Sequence, residues 1–217
     1  MNFFENAVTK SCIQVMSYLG KQPFIHNYYL AGGTALALQI GHRVSTDLDW
    51  FSTSDSLLSP ERETICQLLK IGGKLDIISE QDGQLFTRLF DVDVSFIHQP
   101  HKLLNPTVEY ENIQLAGPAD IGLMKLAAIN SRGTRRDFID IYCLQEIIKL
   151  DELLDLVTVK YHDRPSFLAI TIRALAYFED AEQQPMPDML KSLDWNNVKK
   201  YCETCSRQLA RRLSGLS

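Results

Sequence analysis

Residues 30–52 read LAGGTALALQIGHRVSTDLDWFS: a glycine pair after a short apolar run, then two aspartates separated by one leucine. YYLAGG reads as a strand entering a turn, Thr34 as the cap of a helix ALALQI, and Gly41 as the end of that helix. STDLDWFS then reads as an extended segment, with Asp47, Asp49 and Phe51 on one side and Leu48 and Trp50 on the other. Strand, glycine turn, helix and strand in this order commit the N-terminal half to a mixed α/β arrangement.

The same stretch carries a chemical implication. Gly32 and Gly33 let a triphosphate approach the backbone with no Cβ in the way, and the following helix offers its free N–H groups to the anion. Asp47 and Asp49 project together. At about 5 Å and an effective dielectric near 20, two ionised carboxylates repel by about 3 kcal/mol. A divalent cation relieves that repulsion. Hard oxygen ligands suit Mg²⁺, which takes one or two carboxylates together with substrate phosphates. Two such ions would activate an attacking hydroxyl and hold the leaving pyrophosphate.

Apolar spacing predicts a helix over 3–19, closed by Gly20, and a second over 59–70, opened by Ser59, Pro60 and Glu61. KLDIIS and QLFTRLFDVDVSFI read as strand segments joined by EQDG, where Asp-Gly signals a hairpin. Within the second segment Asp91, Asp93 and Ser95 share one face. Residues 99–107 read as a loop. From Pro118 onward the pattern is helical, over 119–130 (opening at Asp120), 134–149, 151–160, 165–180 and 195–213. The expected fold is therefore α+β, with a mixed unit over 1–116 and a helical unit over 117–217. Lys125, Arg132, Arg135 and Arg136 form a basic cluster suited to a triphosphate or an RNA backbone, and Asp137 and Asp140 share a helix face at i,i+3.

A net charge of −5 argues against a surface that grips nucleic acid everywhere, while leaving room for such a local patch. Five cysteines without a repeating spacing fit reduced thiols. The opening MNFFENAVTKSC lacks the pattern of a secretory signal, and no apolar run approaches the ~20 residues of a membrane span. These features lead to the expectation of a soluble, cytoplasmic protein. CETC at 202–205 has no partner pair, His98 and His101 are expected at the surface, and the arginines at 207, 211 and 212 suit a helix C-terminus.

The stretch GGTALALQIGHRVSTDLDWFS resembles the signature of polymerase-β-like nucleotidyltransferases. More closely it resembles the AbiEii/AbiGii toxin family, also known as DUF1814, whose members carry GG[TS]…GHR.S.DLDFF. ADIGLMKLAAINSRGTRRDFIDIYCL matches a second block of that family, and ALAYFEDAEQQPMPDML the ending of its shorter members. The resemblance implies a polymerase-β-like core followed by a C-terminal helical bundle, and transfer of a nucleoside monophosphate from an NTP to an acceptor with two Mg²⁺ ions. It further implies a toxin of an abortive-infection or toxin–antitoxin system, with tRNA or a protein as acceptor, a cognate antitoxin, and no membrane partner. On this basis Gly32, Gly33, Thr34, Arg43 and Ser45 are expected to bind nucleotide, and Asp47, Asp49 and Asp93 to hold metal. Lys125 is expected on phosphate, with Arg135, Arg136 and Asp137 beside it, and Asp140 or Asp137 as an orienting or basic group. The alignment sets Ser95 where the fold usually has a third carboxylate, leaving Asp93, or Asp91 as its substitute. That departure keeps a second reading open, a catalytically weakened member that binds nucleotide or a protein partner.

Overall fold

The computed structural model describes residues 2–214. They form two compact units, Met1–Gly117 and Pro118–Ser217. The first unit is built on a seven-stranded mixed sheet of order β3-β4-β5-β2-β1-β7-β6. Its strands are β1 (Tyr29–Ala31), β2 (Asp47–Ser52), β3 (Leu75–Gln81), β4 (Gln84–Leu89), β5 (Val92–His98), β6 (Val108–Tyr110) and β7 (Ile113–Leu115). Its helices are α1 (Lys10–Leu19), α2 (Gly32–Ile40) and α3 (Ser59–Gly72).

β2 lies antiparallel to β1 and parallel to β5, in a register that sets Asp47 beside Asp93 and Asp49 beside Ser95. Alternation along these strands separates two faces. Leu48, Trp50, Val94 and Phe96 are fully buried on one of them, where Phe24 and Tyr28 meet the Phe96 ring edge-on. Asp47, Asp49 and Phe51 point the other way and are half-buried. Burying four large apolar side chains on one face holds the register, because a slip of one residue would carry all of them to the open face.

Several boundaries differ from the sequence expectation, each for a physical reason. The helix expected over 3–19 begins only at Lys10, because Val8 bridges in parallel to Ser45 and Thr9 accepts the Cys12 N–H as the cap. Phe3 meets Tyr110 edge-on instead of joining that helix. α2 starts at Gly32, so Thr34 is inside its first turn and does not cap it. QLFTRLFDVDVSFI is two strands: Phe90 and Asp91 both have positive φ and turn the chain between β4 and β5, so Asp91 leaves the face shared by Asp93 and Ser95. The β6–β7 hairpin was not anticipated. The Asp82-Gly83 hairpin formed as expected, with Gly83 at φ +83°. His101 is buried against Gln99 and not at the surface.

The second unit consists of α4 (Pro118–Ser131), α5 (Arg135–Leu144), α6 (Leu150–Lys160), α7 (Phe167–Ala174), α8 (Glu179–Glu182) and α9 (Trp195–Ser214). α4 opens at Pro118 and not at Asp120, because Asp120 is fully buried in an ion pair with Lys160 at 2.7 Å. The helix expected over 165–180 is interrupted between α7 and α8, where Phe178 turns in to meet Phe138 and Trp195. The helix expected over 134–149 stops at Leu144. No helix among the described residues is long and apolar enough to cross a membrane, and all five cysteines are free thiols.

Candidate active site

The paired acid is held by its own neighbours in sequence. Thr34 donates its hydroxyl to the Asp47 carbonyl, and Ser45 donates its own to Asp47 Oδ1 at 3.3 Å. Ser45 is itself pinned, its N–H donating to the Ala7 carbonyl and its carbonyl accepting from the Thr9 N–H. Both hydroxyl side chains are buried. Thr34 therefore holds the Asp47 backbone and Ser45 its carboxylate, beside the nucleotide contact expected of both.

The glycine pair serves the chain's own side chains as well as any ligand. Gly32 has φ +65°, in the left-handed region, and a Cβ there would come within 2.7 Å of Asp49 Oδ2. At Gly33 a Cβ would collide with the Arg43 guanidinium, which is buried against the first turn of α2 and donates to the Val44 carbonyl. Arg43 thus packs beneath the turn and is not presented to solvent. Gly32→Ala should push the Asp49 carboxylate aside and strain the backbone. The expected result is a fall in kcat of roughly 100-fold, as for a displacement of about 1 Å at a reacting centre. Stability should fall by about 1–2 kcal/mol. Steady-state kinetics and thermal unfolding of the variant measure the two effects separately.

Asp93 stands beside Asp47 in the β2–β5 register, as expected, but its Oδ1 is 2.7 Å from Arg88 Nε on β4. Ser95 takes the place beside Asp49. Asp91, the substitute expected for Asp93, lies in the turn before β5 and outside the β2–β5 register. Among the described residues no group of three His, Cys, Asp or Glu side chains converges as a metal cage. The donor set is two half-buried carboxylates on one strand face, which suits an ion that arrives with substrate phosphates.

In the second unit α4 and α5 bring Lys125, Asp137 and Asp140 together. Lys125 Nζ is 3.0 Å from Asp137 Oδ1 and 2.6 Å from Asp140 Oδ2, with side chains 8%, 1% and 0% exposed. Asp137 Oδ2 also accepts the Thr134 hydroxyl at 2.6 Å and lies 3.3 Å from Arg132 Nε. Burial by itself raises the Asp137 carboxyl; Lys125, Arg132 and the Thr134 hydroxyl outweigh it and hold the group below its ordinary value. Lys125, expected on phosphate, has these two carboxylates as its neighbours instead. Asp140, expected as an orienting or basic group, is fully buried in its ion pair with Lys125.

Arg135, expected beside Lys125 in the nucleotide site, is engaged within the helical unit. Its Nε donates to the Ala181 carbonyl at 2.9 Å, a terminal nitrogen donates to the Glu182 carbonyl at 3.0 Å, and the guanidinium lies 4.9 Å over the Trp195 ring. It fastens α8 and α9 to α5. Arg136, the next residue, is exposed. Arg135→Ala should therefore cost stability, roughly 1.5–3 kcal/mol for lost charged hydrogen bonds, with little effect on NTP binding. Urea unfolding alongside a nucleotide titration checks this.

A family model described as nucleotidyl transferase AbiEii toxin, Type IV TA system, matches residues 14–208. An uncharacterised protein of Aquifex aeolicus is 32% identical over 180 residues, covering 81% of this chain and 84% of that protein. Among solved structures, the JHP933 protein of Helicobacter pylori is similar with a TM-score of 0.51 at 14% identity, covering 96% of this chain and 95% of that one. MenT4, a nucleotidyltransferase toxin of Mycobacterium tuberculosis, is similar with a TM-score of 0.51 at 18% identity, covering 88% and 85%. At these identities the structural likenesses concern the fold.

Proposed function

Because the chain belongs to the AbiEii nucleotidyl transferase toxin family, we propose that Asp47 and Asp49 are the centre at which it transfers a nucleoside monophosphate from an NTP to an acceptor hydroxyl. The protein is a nucleotidyltransferase. The observation that carries it is the paired acid on one strand face, with Thr34 on the Asp47 backbone, Ser45 on the Asp47 carboxylate and Gly32 giving the Asp49 carboxylate its room.

In the reaction the acceptor oxygen forms a bond to the α-phosphorus, the bond from that phosphorus to the bridging oxygen breaks, and pyrophosphate leaves. The hydroxyl proton passes to a carboxylate or to water. Asp47 and Asp49 would hold Mg²⁺, which supplies charge neutralisation at the phosphate oxygens and a more acidic acceptor hydroxyl. The first-turn N–H groups of α2 face the anion end of the substrate. Ser45 keeps the Asp47 carboxylate from rotating away when that charge arrives, while Thr34 holds the Asp47 backbone. The acceptor is tRNA or a protein, and the family's toxin–antitoxin setting implies a cognate antitoxin.

The deciding experiment incubates the protein with each α-labelled NTP, Mg²⁺ and either total RNA or total protein. Label transferred to one acceptor class supports the reading and names the class. Tight NTP binding without transfer to either would favour the weakened, nucleotide-binding alternative, for which the Arg88–Asp93 pair and Ser95 beside Asp49 speak.

A further inference from the structure

The face that carries the paired acid does not end at Asp49. Two residues further along β2, about 6.6 Å at 3.3 Å per residue, Phe51 points to the same side and is half-buried. Its ring stacks on Tyr29 of β1, with centroids 6.0 Å apart and planes inclined by 24°. On the other flank β5 sets Ile97 beside Phe51, one alternation beyond Ser95. Phe86 of β4 lies beside Ser95 and Gln84 beside Ile97, so the apolar row runs from Ile97 of β5 through Phe51 to Tyr29 of β1. Ile97 and Phe86 are half-buried as well. The opposite face of the same strands is sealed: Leu48, Trp50, Val94 and Phe96 have no exposure.

One strand face is thus anionic at one end and aromatic at the other, one strand repeat apart. A ligand matching it has a polyanionic, metal-binding end and a flat apolar body joined through a short linker. That is the make-up of a nucleoside triphosphate, whose ribose separates its phosphates from its base. We infer that Phe51, flanked by Ile97, is the platform on which the base of the bound NTP lies. This inference rests on the reading of Asp47 and Asp49 as the triphosphate end. A row of the Tyr29 ring, Phe51 and Ile97 offers its flat side to the face of a base and not to its hydrogen-bonding edge, so discrimination among the four bases is weak at this position.

The test compares two ligands on three proteins. Mg²⁺-ATP and Mg²⁺-tripolyphosphate, which has no base, are titrated calorimetrically into the wild type, Phe51→Leu and Phe51→Trp, each first checked for an unchanged unfolding transition. Loss of a base–aromatic stack predicts ATP binding weakened roughly 5- to 150-fold in Phe51→Leu and kept or tightened in Phe51→Trp. Tripolyphosphate binding should be equal in all three. If ATP binds the wild type and Phe51→Leu alike, the platform is wrong while the triphosphate end stands. Should both ligands weaken together in Phe51→Leu, the residue acts on the phosphate end and the platform is again overturned. If neither ligand binds the wild type, the reading of the paired acid falls and this inference with it.

Discussion

Asp49→Asn should lower kcat for nucleotidyl transfer by about 10³-fold while the fold is retained. An amide of the same shape keeps the packing against Gly32 but loses the charge that draws a cation and substrate phosphates to this face. Removing one preorganised charge partner at a reacting centre typically costs 10²- to 10³-fold, and a metal ligand stands at the upper end of that range. Asp47→Asn should behave alike, and its loss should be partly recovered at high Mg²⁺ if the remaining carboxylate still binds weakly. Asp93→Asn provides the contrast. Because Arg88 already engages Asp93, its loss should cost less than about 10-fold. The measurement is incorporation of labelled nucleotide across a Mg²⁺ series for all three variants, with circular dichroism as the control for folding. Asp49→Asn activity within 10-fold of wild type would remove Asp49 from the site. A 10³-fold loss in Asp93→Asn would restore Asp93 as a third ligand and make the Arg88 pair a resting arrangement.

How far the sequence leads depends on whether a feature is local. Gly32, Gly33, Asp47 and Asp49 lie within one supersecondary unit, where alternation alone puts the carboxylates on one face, so that much of the candidate site's geometry is legible in a short window. The Asp82-Gly83 hairpin is legible for the same reason. The parallel pairing of β2 with β5 is not, because the partners are some 45 residues apart and nothing in DVDVSFI states its register. The turn at Phe90 and Asp91 is hidden because Phe is a poor residue for positive φ, and its ring instead meets Tyr18 edge-on. β6 and β7 are three residues each, shorter than any periodicity can reveal. The burial of Arg43, Thr34 and Ser45 was missed for a different reason. Polar residues beside a motif suggest ligand contacts, whereas here they satisfy the backbone and side chains that hold the acid in place. The same substitution of internal partners for ligands explains Arg135.

Lys125→Met should destabilise the protein by about 3–5 kcal/mol, because it leaves two buried carboxylates without their shared cation. The pH dependence of that loss separates it from ordinary damage to packing. In the wild type Asp137 is held below its ordinary value, so its contribution is fully present above about pH 4. It is lost as the pH falls through the depressed value of the folded state. Without the ammonium, burial, which is the largest influence on Asp137 and acts to raise it, meets only Arg132 and Thr134 while Asp140 opposes ionisation from close by. The folded-state value then rises above the unfolded one, and the sign reverses: the variant is most stable in acid and loses stability as the pH climbs past about 4. Urea unfolding from pH 3 to pH 7 should therefore give curves of opposite slope for wild type and Lys125→Met, with Lys125→Arg retaining the wild-type slope. The same proteins titrated with Mg²⁺-NTP decide the role expected from the sequence. If Lys125 acts on phosphate, NTP affinity falls about 10- to 150-fold in Lys125→Met with no change of slope. A reversed slope with NTP affinity unchanged, measured where the variant remains folded, assigns the lysine to the buried carboxylates alone.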